Sequence, residues 1–537
     1  MIALGIIVAF QVSEVNAQLS DSQRFEALKN LDIYNSVFKE MLLNYVDTLD
    51  SEKITQTNIA SMLKRLDPYS EYIPEEDLSD YKFLTTGEYG GIGSVITSKK
   101  GRIIVVDPYE GMPAAKAGLR PGDEILSIDG VSVQEQTTSF ASERLRGPAN
   151  TSVKLQVLKV GESAPKEIVL QRQHIQIDPV IYYGVLQDRI GYICLSGFTT
   201  HSAQSVKAAL TDLMKRSSIR ALILDVRDNG GGLMEECLEI LNFFVPKGEL
   251  LLSLKGKVSS MDRTYRATQA AIAPDLPMAV LVNHNSASAS EILAGAIQDL
   301  DRGVIVGTRT YGKGLVQSTF PIPYDGKLKI TTAKYYIPSG RSIQAIDYAR
   351  RDDDGRVSYI PDSLTSVFYT AKGRPVRDGG GILPDSIVEE PKLPNLIYYL
   401  EVNDLFFDFV VQWRTRHPKI ASLSDFVVTD MTYNEFAEFV KSKDFTYDRQ
   451  SEKAMKTLKE IMQLENYWDT ASAEFQALEN KLKPDLDRDL NLYKAEIAHY
   501  LGLQIMKQYY YAKGQQVFDL KRDPVVEKAL EVLSVIK

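Results

Sequence analysis

The chain has 537 residues, with 62 basic and 71 acidic side chains for a net charge of −9, five histidines and two cysteines. Its length exceeds what one hydrophobic core fills and predicts about three or four domains, and the acidic balance excludes a nucleic-acid backbone as the main partner. Cys194 and Cys237 lie far apart with no C-x-x-C or Cys/His cluster, which excludes a disulfide framework and a zinc site; both read as buried small hydrophobes.

Residues 1–17 read as a signal peptide. An apolar run over 1–10 is followed by Val15-Asn16-Ala17, a small-residue cleavage site before Gln18. No Lys or Arg precedes the run, so the competing readings are an ordinary N-terminal strand or helix, or a start site assigned inside a longer signal. The run is too short to span a membrane, and no cysteine stands there for lipid attachment. The expectation is an exported protein of the periplasm or cell envelope that does not span the membrane.

Residues 18–83 form a predicted helical region. Phe25, Leu28, Leu31, Val37 and Met41, then Ile59 and Met62, recur at helical spacing, and Pro68 ends the pattern because it restrains the residue before it. A different texture fills 84–173. The loop Tyr89-Gly90-Gly91-Ile92-Gly93 feeds a strand, Pro113-Ala114-Ala115-Lys116-Ala117-Gly118 is a short helix with Pro at its start and Gly at its end, and Val153, Leu155 and Val157 alternate along a later strand. This predicts a compact β-rich module. A glycine loop beside an open strand suits capture of a peptide carboxylate by backbone N–H groups while the peptide adds a strand to the sheet edge, which nominates Gly90, Gly91, Ile92 and Gly93 as peptide-binding residues.

In 174–394 apolar runs at 190–195, 221–225, 278–282 and 304–306 alternate with helical segments, an α/β pattern. The loop D-V-R-D-N-G-G-G at 225–232 has no G-K-[ST], so its glycines serve close approach of backbone N–H groups to a substrate rather than a phosphate. Asp352, Asp353 and Asp354 with Gly355 lack the remaining ligands of a calcium loop and read as a solvated insertion. Residues 395–537 are helical. The stretch 396–413 is apolar, but Glu401, Asp404 and Asp408 make it a buried amphipathic helix, and a tyrosine-rich face further on reads as core rather than partner surface.

The chemistry concentrates where strand 278–282 runs into Asn283-His284-Asn285-Ser286-Ala287-Ser288-Ala289-Ser290-Glu291 and a helix. A serine there meets a helix N-terminus, whose unpaired N–H groups favour developing negative charge. The plain alternative is that Ser288 only caps the helix, since Ser288 and Glu291 form an S-x-x-E capping box. As a nucleophile it needs a base. His284 has no acidic residue nearby in sequence to orient it and reads as a loop histidine, and the absence of G-x-S-x-G disfavours an α/β-hydrolase elbow. Lys313, between Gly312 and Gly314, is the better base, provided its environment lowers an ordinary pKa of about 10.4. Gln317 lies on the same side of the chain and can orient the amine without protonating it. The alternative is a surface lysine on a glycine turn.

The strings S-A-S-A-S-E-I-L-A-G-A-I-Q-D and Y-G-K-G-L-V-Q resemble the C-terminal processing (tail-specific) serine peptidases of family S41. So do L-D-P-Y-S-x-Y at 66–72, Leu145-Arg146-Gly147-Pro148 at the end of a segment that resembles a PDZ domain, and T-A-K-Y-Y-I-P-S-G-R-S-I-Q at 332–344. The resemblance covers about residues 30–390 and implies a multidomain α/β protein. It would have a ClpP/crotonase-like peptidase core over 174–394, an inserted PDZ domain over 84–173, an N-terminal helical region over 18–83 and a C-terminal helical domain over 395–537. It implies Ser288 as nucleophile, Lys313 as general base and Gln317 as the residue that positions it. The oxyanion donors would be the Ala289 N–H and one from Gly231 or Gly232, with Arg146 as a candidate coupling residue. Asp228 stands where the family often has Asn. No metal or cofactor is implied. The partners expected are proteins or peptides with apolar C-termini, and the reading leaves room for an adaptor or a homo-oligomer. Two rivals stand beside this: a catalytically silent PDZ-containing scaffold, and a crotonase-type enzyme acting on thioesters, which needs no peptide-binding module.

Overall fold

The computed structural model describes residues 20–535 except 258, 352–355, 390–391, 448–449 and 484. The signal-peptide reading and the Asp352–Asp354 reading therefore fall outside the described residues. The chain divides into two compact units, one of residues up to 75 with 317–331, the other of 76–316 with 332–537.

The first unit contains the helices Asp21–Asn44 and Ser51–Lys64 and a short strand, Glu71–Ile73. The expected helical region is thus two helices, parted where Asp50 caps the second by accepting from the Glu52 and Lys53 N–H groups. Asp67 organises the turn after it, its Oδ1 accepting from the N–H of Tyr69 and of Ser70. Glu71–Ile73 pairs antiparallel with residues 327–329 of a hairpin.

In the second unit a β-rich module comes first. Its antiparallel sheet runs Ser94–Lys99, Arg102–Pro108, Glu124–Ile128, Ser152–Leu158, Lys166–Gln171, so Ser94–Lys99 is an edge strand. Ile103, Ile125, Ile128, Val153, Leu155 and Val157 fill its core, which is the alternation a half-buried strand requires. Glu88–Gly91 pairs with Gln173–Gln176 where the chain enters and leaves. Gly90 and Gly91 are therefore strand residues, and only Ile92-Gly93 forms the turn into the edge strand.

The α/β core is built on a six-stranded sheet, in the order Val180–Val185, Ile190–Leu195, Ala221–Asp225, Met278–Val282, Val304–Gly307, Ser386–Ile387. All pairings after the first are parallel. Strands of this kind are covered on both faces and so read as continuous apolar runs. The helices Ser202–Ser217, Met234–Asn242 and Ala289–Asp299 cover one face. The other is covered by Val525, Val526, Ala529 and Leu533 of the last helix, Pro524–Val535, which pack on Tyr192, Ile223, Ala279 and Leu281. Each large aliphatic side chain buried there contributes about 1.5–3 kcal/mol. The segment 524–535 is thus part of the α/β core's packing.

The helical domain before it holds its own core, including Phe406, Phe409, Trp413, Phe436 and Ile505. The helix expected over 396–413 is two helices, Asn395–Val402 and Leu405–Arg416, because Asp404 takes a left-handed backbone at φ +58°. The tyrosine-rich face packs partly into this core: Tyr509 donates to the His417 carbonyl, and Tyr510 donates to Ala421 O at 3.0 Å. Among the described residues no helix is long and apolar enough to cross a membrane.

Candidate active site

Asp225 and Val282 end neighbouring parallel strands, and the loops that follow them meet beyond the sheet. This is where ligands enter open parallel sheets, because the loops leave the strands' carboxyl ends together. Three serines stand in alternate positions where the second loop enters the helix Ala289–Asp299. Ser286 and Ser290 are buried and their hydroxyls donate to Val226 O at 2.8 Å and Asn229 O at 2.7 Å. Ser288 is only half-buried. It stands at the N-cap of the helix Ala289–Asp299 with φ +55° and ψ −114°, a backbone conformation that costs a non-glycine residue on the order of 1–3 kcal/mol.

Glu291, three residues into that helix, is fully buried. Its Oε2 accepts from the Ser288 N–H at 2.9 Å and from the Lys313 N–H at 2.9 Å. Its Oε1 accepts from the Gly312 N–H at 2.7 Å and the Thr310 hydroxyl at 2.6 Å. The capping-box carboxylate is therefore also the anchor of the lysine loop. Burial pushes it up to about 7, against the four donors that pull the other way. Tyr335 makes a second link: its hydroxyl donates to the Lys313 carbonyl and lies 3.3 Å from the Ser288 carbonyl oxygen. Two buried side chains thus bind the backbones of Ser288 and Lys313 to one another. The glycines beside the lysine make the loop fit, since a Cβ on Gly312 would meet the Ala345 Cβ at 2.3 Å and one on Gly314 the Gln344 N at 2.9 Å.

The glycine loop 228–232 lies directly against Ser288. The Gly231 N–H donates to Asn229 Oδ1 at 2.9 Å, so it is engaged within the loop. What Gly231 supplies is room: a Cβ there would sit 2.7 Å from Ala287 O, 2.8 Å from Ser288 Cβ and 2.9 Å from Ala289 N. The N–H groups of Ala289 and Gly232 have no protein acceptor among the described residues. This narrows the expected oxyanion pair to Ala289 and Gly232. Asp228 carries its own network, its Oδ1 accepting from Asn283 Nδ2 at 3.0 Å and Asn285 Nδ2 at 2.8 Å. His284 is exposed on the loop. Gln317 belongs to the first unit, where its Nε2 donates to Thr331 Oγ1 at 3.1 Å. Cys194 and Cys237 are buried thiols, and burial pushes Cys194 up to about 12.

In the β-rich module a groove runs between the edge strand Ser94–Lys99 and the helix Thr138–Leu145. Phe83, Tyr89, Ile92, Val95, Ile96, Tyr109, Leu145 and Arg146 line it. Ile92 is the only one of the four nominated peptide-binding residues on its wall. Gly90 instead packs against Gly147, whose carbonyl oxygen would lie 2.2 Å from a Cβ at 90. The Arg146 guanidinium stands 5.5 Å from the Tyr89 ring centroid, within cation–π range.

Glu291 as loop anchor and Tyr335 were not assigned from sequence. The S-x-x-E spacing marked Glu291 as a cap, but its bonds to Gly312 and Lys313 are long-range and leave no local trace.

The chain matches a model described as peptidase family S41 over residues 189–349, a PDZ-domain model over 104–159, and a model described as the C-terminal helical domain of probable PDZ-proteases over 396–533. A carboxy-terminal-processing protease of Bartonella bacilliformis is 35% identical over 345 residues, which are 64% of this chain and 79% of the relative. A carboxyl-terminal-processing protease of Synechocystis sp. is 34% identical over 362 residues, 66% of this chain and 74% of the relative. Among solved structures, a photosystem II D1 C-terminal processing protease is 26% identical, covering 67% of this chain and 93% of that one with a TM-score of 0.36. The chain belongs to the carboxy-terminal-processing serine proteases of peptidase family S41, with an inserted PDZ domain and a C-terminal helical domain.

Proposed function

We propose that this protein is an exported endopeptidase that captures protein C-termini in its PDZ groove and cleaves through a Ser288–Lys313 dyad. The observation that carries the reading is the pair of buried links, Glu291 and Tyr335, that hold the backbones of Ser288 and Lys313 together. A cap alone has no need of a lysine loop fastened to it.

The mechanism follows from the groups in place. The neutral Lys313 amine takes the Ser288 Oγ proton as Oγ attacks the scissile carbonyl carbon. Negative charge on the carbonyl oxygen meets the Ala289 and Gly232 N–H groups, donors fixed before the reaction begins. The Lys313 ammonium then gives its proton to the leaving amine nitrogen, the C–N bond breaks and an acyl-enzyme remains. Lys313 next deprotonates a water that attacks the ester, and Ser288 regains its proton as the new carboxylate leaves. Gln317 orients the amine. That role is the one the resemblance to family S41 implies for Gln317. The edge strand and the apolar groove wall support capture of an extended peptide with an apolar C-terminal side chain.

The test is turnover of an unfolded protein substrate ending in an apolar residue by the wild type and by Ser288→Ala and Lys313→Ala. Loss of cleavage in both variants with retained substrate binding supports the dyad. Cleavage by Ser288→Ala refutes it.

A further inference from the structure

Arg227 sits in the glycine loop, and both of its carboxylate partners are buried. Its guanidinium donates to Asp225, with Nε at 3.0 Å from Oδ1 and Nη2 at 2.6 Å from Oδ2. The same Nη2 lies 2.6 Å from Oδ2 of Asp523, a residue 296 positions away. Asp225 is also held from the side: Tyr192 donates its hydroxyl to Asp225 Oδ2 at 2.7 Å, and Gln516 donates to that hydroxyl at 2.9 Å. Two elements of the C-terminal segment therefore reach the base of the loop that carries Gly231 and Gly232.

Asp523 divides its two oxygens between two tasks. Oδ1 caps the last helix, accepting from the Val525 and Val526 N–H groups at 2.9 Å and 3.1 Å. Oδ2 faces Arg227 and has no part in the cap. A helix cap is satisfied by one side-chain oxygen, so the second oxygen's placement on Arg227 is a separate feature. From Arg227 the path to the reacting atoms is short. Asn229, two residues on, donates Nδ2 to Leu195 O at 2.8 Å, accepts the Gly231 N–H at 2.9 Å on its Oδ1, and accepts the Ala287 N–H at 3.1 Å on its carbonyl. A shift at Arg227 thus moves both the Gly232 donor and the turn that holds Ser288.

We propose that Asp523 is a positioning residue for the oxyanion loop: the C-terminal segment delivers a carboxylate that fixes Arg227, and through it the 226–232 loop, so that this segment serves the chemical step as well as the packing of the core. The proposal rests on the assignment of Gly232 and Ala289 as oxyanion donors. Burial alone would lower the Arg227 guanidinium's pKa, but the Asp225 and Asp523 carboxylates raise it well above the ordinary value, so the pair is a charge-assisted clamp.

The test uses the full-length protein and separates the two oxygens. Asp523→Ser and Asp523→Asn each keep a capping oxygen for the helix. Serine does not reach Arg227, and the asparagine that caps with its oxygen turns an NH2 toward the guanidinium. The expected result is a kcat about 10- to 100-fold lower in both, the scale of a misplaced catalytic donor. KM for the protein substrate should stay within about two-fold of wild type, and the loss of kcat should exceed the loss of folded protein that unpairing the buried Arg227 brings. The rate of Ser288 phosphonylation by a fluorophosphonate, in which Oγ attacks phosphorus and fluoride leaves, should fall in parallel, and Asp523→Glu should recover part of it. Arg227→Met should lower kcat by a similar factor, with Asp523→Ser adding nothing to it. A wild-type kcat in Asp523→Ser, or a loss that follows the folded fraction in every variant, overturns the proposal. Ser288→Ala run alongside tells the two readings apart, since retained cleavage there refutes the dyad itself, whatever Asp523 does.

Discussion

The Glu291 carboxylate and the Lys313 N–H form a 2.9 Å hydrogen bond, and the same oxygen accepts the Ser288 N–H at 2.9 Å. One buried oxygen thus sets the spacing of the two backbones whose side chains are assigned to proton transfer and attack. Four donors converge on this carboxylate, three N–H groups and the Thr310 hydroxyl. An amide cannot replace it, because a glutamine has one acceptor atom where the site uses two. Glu291→Gln is expected to lower kcat by about 100-fold, the order of loss for a dyad set about 1 Å out of place. An activity assay beside a thermal melt checks this, since the folded fraction must account for less than the loss.

Glu291 also predicts a pH dependence. Burial raises its pKa from 4.5 to about 7. A carboxyl whose folded value lies above its unfolded one contributes stability that is full below the unfolded value and is lost as pH rises through the folded one. The unfolding free energy of the wild type relative to Glu291→Gln should fall by on the order of 3 kcal/mol between about pH 4.5 and about pH 7. Denaturant titrations of both proteins across that range decide it, and a rise instead of a fall would contradict the assignment.

The three serines should separate cleanly. Ser286→Ala and Ser290→Ala each leave a buried carbonyl without its hydroxyl donor and should cost about 1–3 kcal/mol of stability while the folded protein still cleaves. Ser288→Ala should lose cleavage with little change in melting temperature. Ser288→Gly should be more stable than Ser288→Ala by on the order of 1 kcal/mol, because glycine adopts φ +55°, ψ −114° without strain.

Gly231→Ala places a Cβ against Ala287 O, Ser288 Cβ and Ala289 N at a φ of +99°. These are backbone atoms and the side chain of the proposed nucleophile, so the contact is relieved only by moving the site. The expected outcome is a kcat loss of about 100-fold or more with KM nearly unchanged, read by steady-state kinetics on the protein substrate.

Ser142 lines the peptide groove. Ser142→Phe should fill it, raising KM for protein substrates with apolar C-termini while leaving the rate of phosphonylation by a fluorophosphonate unchanged. Equal loss on both readouts would show that the groove acts on catalysis and not only on capture.

Much of this site was legible in the sequence because its parts are local. The Ser288 and Lys313 motifs are short strings, and the sheet shows itself because strands such as Met278–Val282 are buried on both faces. The sequence pattern does not distinguish the three serines by their bonds; the structure engages the Ser286 and Ser290 hydroxyls with backbone carbonyls, which supports the proposal of Ser288. What escaped is long-range: Tyr335 acting on Ser288 and Lys313, and Asp523 on Arg227, join residues with no shared pattern. The last helix has an apolar face, but nothing in that face says it lies on the peptidase sheet. Local conformation misled twice. Gly90 and Gly91 looked like a loop and form a strand, and Asp404 breaks a helix that apolar periodicity would continue.

The most direct test of the dyad is peptide mapping by mass spectrometry after reaction with a fluorophosphonate. The account predicts a single stoichiometric adduct on Ser288, absent in Ser288→Ala and formed far more slowly in Lys313→Ala. An adduct on Ser286 or Ser290, or full labelling in the absence of the Lys313 amine, would contradict it.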